Sequence, residues 1–139
     1  MKKTKIIIPV LVFTLITATL CAFYVPQLRV RLFAYEYHEQ IEKGIAAELG
    51  VPGDDSVIGG YKYVNTWSDD PWMTEFVLLK YGVCYYGCYY SPEDVPFSFQ
   101  NITDNLTQEG PNRWEWEKDS HSGYTEKLFD NWYYFKAIY

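Results

Sequence analysis

The chain has 139 residues, carries 12 Lys and Arg against 18 Asp and Glu for a net charge of −6, and contains 8 Phe, 5 Trp and 14 Tyr. An acid surplus argues against nucleic-acid backbones and anionic lipid surfaces as partners, since both are polyanions. The length suits one domain with one modest core.

The basic residues are unevenly placed. Lys2, Lys3 and Lys5 precede residues 6–25, a run that begins at Ile6, ends at Val25 and contains no charge. The three lysines give +3, so residues 26–139 carry −6 − 3 = −9. At about 1.5 Å of rise per residue, twenty apolar residues match a hydrocarbon core of about 30 Å. A cleaved secretory signal has a shorter apolar region, about 7–15 residues, and a small-x-small cleavage site. This run is longer and such a site is poor. Leu20 before Cys21 also lacks the small residue that bacterial lipidation requires. The expectation is a membrane anchor over residues 1–26, with a cleaved signal and a secreted product as the alternative. Residues 27–139 then form a single extracytoplasmic domain, because the basic flank stays inside.

Residues 28–49 (LRVRLFAYEYHEQIEKGIAAEL) place Leu28, Leu32, Tyr35, Ile41, Ile45 and Leu49 at helical spacing, with Glu36, Glu39, Glu42 and Lys43 between them. Gly50, Val51 and Pro52 form a stop signal. Pro26 is expected to kink or break the join to the anchor. His38 and Glu42 have the spacing of a surface pair.

Beyond residue 56 the pattern shortens to β-like runs at 57–67, 73–82, 83–91, 112–118, 124–130 and 131–139, separated by clusters of Asp, Pro, Gly and Asn. The predicted fold class is α+β: a transmembrane helix, then an amphipathic helix packed on an antiparallel meander of five or six strands. Residues 97–112 are the least patterned and read as a long loop. Asn101 and Asn105 there match the glycan-acceptor pattern, a short motif that chance produces often.

Three segments, GCYYSPEDVP at 87–96, RWEWEKDS at 113–120 and GYTEKLFDNWYYF at 123–135, resemble stretches in small exported, membrane-anchored proteins of low-GC Gram-positive bacteria. The resemblance covers a third to a half of the domain. It implies a bacterial, extracytoplasmic setting and carries no activity, substrate or catalytic residue with it.

Cys84 and Cys88 pose a structural question. In an extended strand, residues four apart lie about 13 Å from each other, whereas a disulfide needs Cα atoms within about 4.4–6.8 Å. A turn at Gly87 would permit the bond, and without it the sulfurs serve as small packing groups. A metal centre would need two more ligands, and the histidines are only His38 and His121. Alternation in RWEWEK sets Glu115 and Glu117 on one face of a strand and Trp114 and Trp116 on the other, which reads as a solvated face opposite a buried one. Asp54, Asp55, Asp69 and Asp70 stand where turns favour Asp, and His121 lies in a polar turn.

No base, nucleophile and oxyanion set emerges, and no cofactor is expected. The functional expectation is a non-catalytic binding or interaction module for a glycan, a cell-wall polymer or an envelope protein, with Trp67, Trp72 and Trp132 as the contact set. The alternatives are a hydrolase using Glu115 or Glu117 with Asp119, and a structural accessory subunit of a membrane complex.

Overall fold

The structure, a computed structural model, describes the backbone of residues 4–46, 64–67, 73–100 and 106–139. Helix α1, Thr4–Ala46, is one continuous element of 43 residues, about 65 Å long at 1.5 Å per residue. It runs through Pro26, where a kink or break was expected, and Pro26 is buried. The expected stop at Gly50 lies outside the described residues.

The buried stripe of α1 is Pro26, Val30, Phe33, Ala34 and Ile41. Of the six residues proposed from spacing, Ile41 belongs to it, whereas Leu28, Leu32 and Tyr35 are exposed. The helix has two apolar stripes with the same periodicity, and periodicity alone does not say which meets the sheet. The expected pair of His38 with Glu42 is also replaced. Glu42 Oε1 accepts the indole N–H of Trp132 at 2.8 Å, and the His38 ring lies 5.2 Å from that of Phe129.

Seven strands follow: β1 Val64–Trp67, β2 Met73–Tyr81, β3 Cys84–Tyr90, β4 Thr107–Gly110, β5 Arg113–Lys118, β6 His121–Phe129 and β7 Trp132–Ile138. They form one antiparallel sheet in the order β1-β2-β3-β7-β6-β5-β4. Two meanders, β1–β3 and β4–β7, are thus joined by the β3·β7 pair, with Cys88 opposite Tyr134. The unpredicted strand is β4, whose sequence TQEG has no apolar alternation because it is a mostly exposed edge. Tight turns close the hairpins, and Asn131 sits at φ 65° in the β6–β7 turn, a conformation Asn tolerates.

The centre of the sheet is buried on both faces. On one, Phe76, Cys88, Trp132 and Tyr134 pack with Val30, Phe33, Ala34 and Ile41 of α1. On the other, Met73, Tyr89, Trp116, Tyr133 and Phe135 pack with Phe97 and Phe99 from the connection between β3 and β4. Strands covered on both sides lose the apolar–polar alternation, which is why β3 reads CYYGCYY and β7 reads WYYFKAI. The Tyr89 and Tyr133 rings stack at 5.1 Å. The Tyr89 hydroxyl accepts the Phe97 N–H at 2.8 Å and lies 2.7 Å from Thr125 Oγ1, so the connecting segment is fastened to the sheet through a fully buried phenol.

Two of the segments that carry the sequence resemblance meet in a polar knot at one end of the sheet. Asp94 Oδ1 accepts the Asn131 N–H and the Tyr133 hydroxyl, each at 3.0 Å, and Oδ2 accepts from Lys127. The Asn131 amide nitrogen donates to the carbonyls of Ser91 and Pro92 at 2.9 Å each. Partial desolvation pushes the Asp94 carboxyl up, but the bonds from Lys127, Asn131 and Tyr133 outweigh it and hold the group below its ordinary value. A carboxyl lowered on folding stabilises the fold above its unfolded value, near pH 4, and that contribution is lost as pH falls through the folded value. Asp94→Asn is therefore expected to lower the neutral-pH melting temperature by a few degrees, for a loss of about 1 kcal/mol given the partial exposure. The gap from wild type should narrow progressively as pH falls below about 4 and the Asp94 carboxyl takes up its proton. Melting curves from pH 7 to pH 2.5 check this, and a gap unchanged with pH would contradict it.

Candidate functional site

Within α1, Val12–Gly44 contains a stretch long and apolar enough to cross a membrane. Phe13, Leu15, Ile16 and Leu20 are 52–72% exposed, so this part of the helix is not covered by the sheet. Its threonines are compatible with hydrocarbon, because the hydroxyls of Thr17 and Thr19 donate to the carbonyls of Phe13 and Leu15 at 2.8 Å.

The helix packs over the sheet mainly at β3 and β7, and β6, β5 and β4 extend past it. On these strands the helix-side face forms an open groove of about 740 Å³, lined chiefly by Glu109, Glu115, Glu117, Ser122, Tyr124 and Lys136. Strand register builds it, since Glu115 is opposite Tyr124 and Tyr124 is opposite Lys136. Period-two alternation brings all three to one face.

Tyr124 is the organising side chain. Its hydroxyl accepts from Gln27 Nε2 of α1 at 2.6 Å, and the Arg113 guanidinium lies over its ring at 3.9 Å. Arg113 Nη2 in turn holds Glu115 at 2.7 Å. Arg31 of α1 bridges to Glu126 at 2.6 Å, one turn of helix beyond the Gln27 contact. The result is a half-buried aromatic ring fixed in orientation, with carboxylates, a hydroxyl and an ammonium around it. Arg113 already covers one face of the ring, so the groove offers the ring's remaining contact area together with directional hydrogen bonds to a polyhydroxylated ligand.

The contact residues expected from sequence are placed differently. Trp132 is fully buried between α1 and the sheet, so the expectation of an exposed contact there is corrected: its ring completes the core and its N–H is taken by Glu42. Trp67 ends β1, where only the backbone is described, and Trp72 lies outside the described residues. Cys84 and Cys88 are free thiols on the extended β3, so the disulfide alternative does not form. No turn at Gly87 shortens the roughly 13 Å that an extended strand puts between them. Burial pushes the Cys88 thiol up, which favours an inert packing group.

Glu115 and Glu117 do share a face, with the Trp116 ring buried on the other. Both are exposed and Glu115 is engaged by Arg113, so neither has the apolar enclosure that makes a carboxyl a general acid. Asp119 occupies the β5–β6 turn at φ 55°. His121 packs against the Tyr139 ring with centroids 4.0 Å apart. Among the described residues, no group of three or more His, Cys, Asp or Glu is arranged to hold a metal.

Sequence reasoning missed Tyr124 and Lys136 as site residues. Alternation in β6 and β7 placed them on one face, but only the β6–β7 register and the limited reach of the helix show that this face is open. Comparison of the chain with family models, with curated proteins and with solved structures finds no match.

Proposed function

We propose that this chain is a membrane-anchored extracytoplasmic binding module, non-catalytic, whose ligand surface is the Tyr124 groove. The observation that carries the reading is the fixed aromatic ring in an open groove rimmed by Glu109, Glu115, Glu117 and Lys136. The carboxylates disfavour polyanionic wall polymers and favour a neutral or amine-bearing glycan. The continuous helix supports the anchoring, because it joins the apolar stretch to the sheet without a linker. An exported bacterial setting also agrees with the three segments that resemble small exported proteins.

The test is a calorimetric titration of the detergent-solubilised protein with neutral and amine-bearing wall-glycan fragments. A saturable change is expected, weakened about tenfold in Tyr124→Ala, since a stacked ring contributes roughly 1–1.5 kcal/mol. No saturable change with any fragment, or equal affinity in Tyr124→Ala, rules the groove out as a glycan site. In the rival hydrolase reading, cleavage of such fragments would disappear in Glu115→Gln or Glu117→Gln.

A further inference from the structure

We propose that α1 pairs in parallel with α1 of a second copy of this chain, through a seam of Val25, Leu28, Leu32 and Tyr35. These side chains are 43, 56, 58 and 74% exposed, so the fold of one chain leaves most of this row uncovered, and only Tyr35 meets the sheet, its ring edge-on to Phe129 of β6 at 5.8 Å. Their spacing of three, four and three residues is that of the a and d positions of a heptad. At about 100° per residue the row lies roughly 170° around the helix from the stripe of Pro26, Val30, Phe33, Ala34 and Ile41 that meets the sheet. Two helices can therefore meet along this seam with the body of each sheet on the outside.

Charge identifies the partner as another copy and sets its direction. With Val25 and Leu32 at a and Leu28 and Tyr35 at d, a parallel pair brings each g residue next to the e residue five places on in its partner. Arg31 then faces Glu36 of the other helix, and Tyr24 faces Arg29. The first is an ion pair and the second a cation over an aromatic ring. By two-fold symmetry each contact occurs twice. Arg31 already gives Nη2 to Glu126, and a guanidinium has five N–H donors, enough for a second carboxylate.

The parallel arrangement rests on the anchoring proposed above, since two copies inserted the same way into one bilayer present α1 in one direction. Ala18, one heptad before Val25, continues the seam into the apolar stretch with a small residue that permits close approach. At Glu39 the next a position carries a charge, and like charges would meet there, so the contact ends after Tyr35.

The test is oxidative crosslinking of full-length protein in its membrane. Single cysteines at Leu28→Cys, Leu32→Cys and Tyr35→Cys are compared with Gln40→Cys, an exposed position off the seam. Cys21→Ser and Cys84→Ser form the background, and Cys88 stays because it is buried. Covalent dimers are expected at the three seam positions and not at residue 40. Adding Glu36→Lys to Leu32→Cys should cut dimer yield about threefold to tenfold, the effect of turning two weak ion pairs into repulsions. Membrane-bound protein that stays monomeric, crosslinks equally at residue 40, or crosslinks only to a different protein overturns the pairing. Protein found free in the cytosol instead overturns the anchoring itself.

Discussion

Alanine at Gly87 is expected to prevent the sheet from forming as it stands. A Cβ at this position would lie 2.0 Å from the Phe76 carbonyl oxygen and 2.6 Å from Cζ of Phe135. The ring can give way, but the carbonyl belongs to the paired strand β2, and β3 is held between β2 and β7. Relief requires moving backbone in the middle of the sheet. Overpacking usually costs about 1–3 kcal/mol, and a backbone clash at a central strand belongs at or above the top of that range, a large share of a marginal stability. Gly44→Ala is the matched control, because nothing lies within 4 Å of the added methyl. There the removal of a helical glycine is expected to stabilise by up to about 1 kcal/mol. Thermal melts of both variants decide the matter: Gly87→Ala melting within about 2 °C of the parent would refute the account.

Trp132→Ala should be the most damaging large-to-small change. Trp132 is fully buried, stacks on Phe76 with centroids 6.0 Å apart, touches the Tyr90 and Phe129 rings and donates to Glu42. Its removal leaves a cavity where α1 meets the sheet and strands a carboxylate that had a partner. A loss of about 3–5 kcal/mol follows, enough to lower the melting temperature by more than roughly 10 °C. Trp132→Phe keeps most of the ring and loses the N–H, so about 1–2 kcal/mol is expected from the abandoned Glu42. Near-ultraviolet circular dichroism during melting separates the two variants. Equal losses in both would mean that the hydrogen bond, rather than the packing, holds the helix down.

The element types were legible in the sequence, and the burial was legible only in part. Runs of Tyr, Val, Trp and Phe between turn residues located β2, β3, β5, β6 and β7 closely, because aromatic residues leave β structure few alternatives. The polar edge strand β4 left no such trace. For α1, two apolar stripes shared one periodicity, and the choice between Leu28 and Val30 as core needed the sheet itself. Read from sequence, Trp132 fits a contact residue as well as a core one, since aromatic side chains serve surfaces and cores alike. Its burial follows from β7 lying next to β3 under the helix, a long-range pairing that no local pattern encodes. The same cause hid the groove, because its opening depends on how far α1 reaches across the strands.

That pairing bears on how the protein is made. Residues 132–138 are synthesised after the other six described strands, yet they fill the middle of the sheet, and α1, synthesised before all seven, has its core stripe covered only once they arrive. The sheet therefore stays unfinished until β7 emerges from the ribosome, and its assembly waits for that strand. A premature stop before Trp132 would leave two separated meanders and a helix whose core stripe has nothing to cover it, a natural substrate for proteolysis.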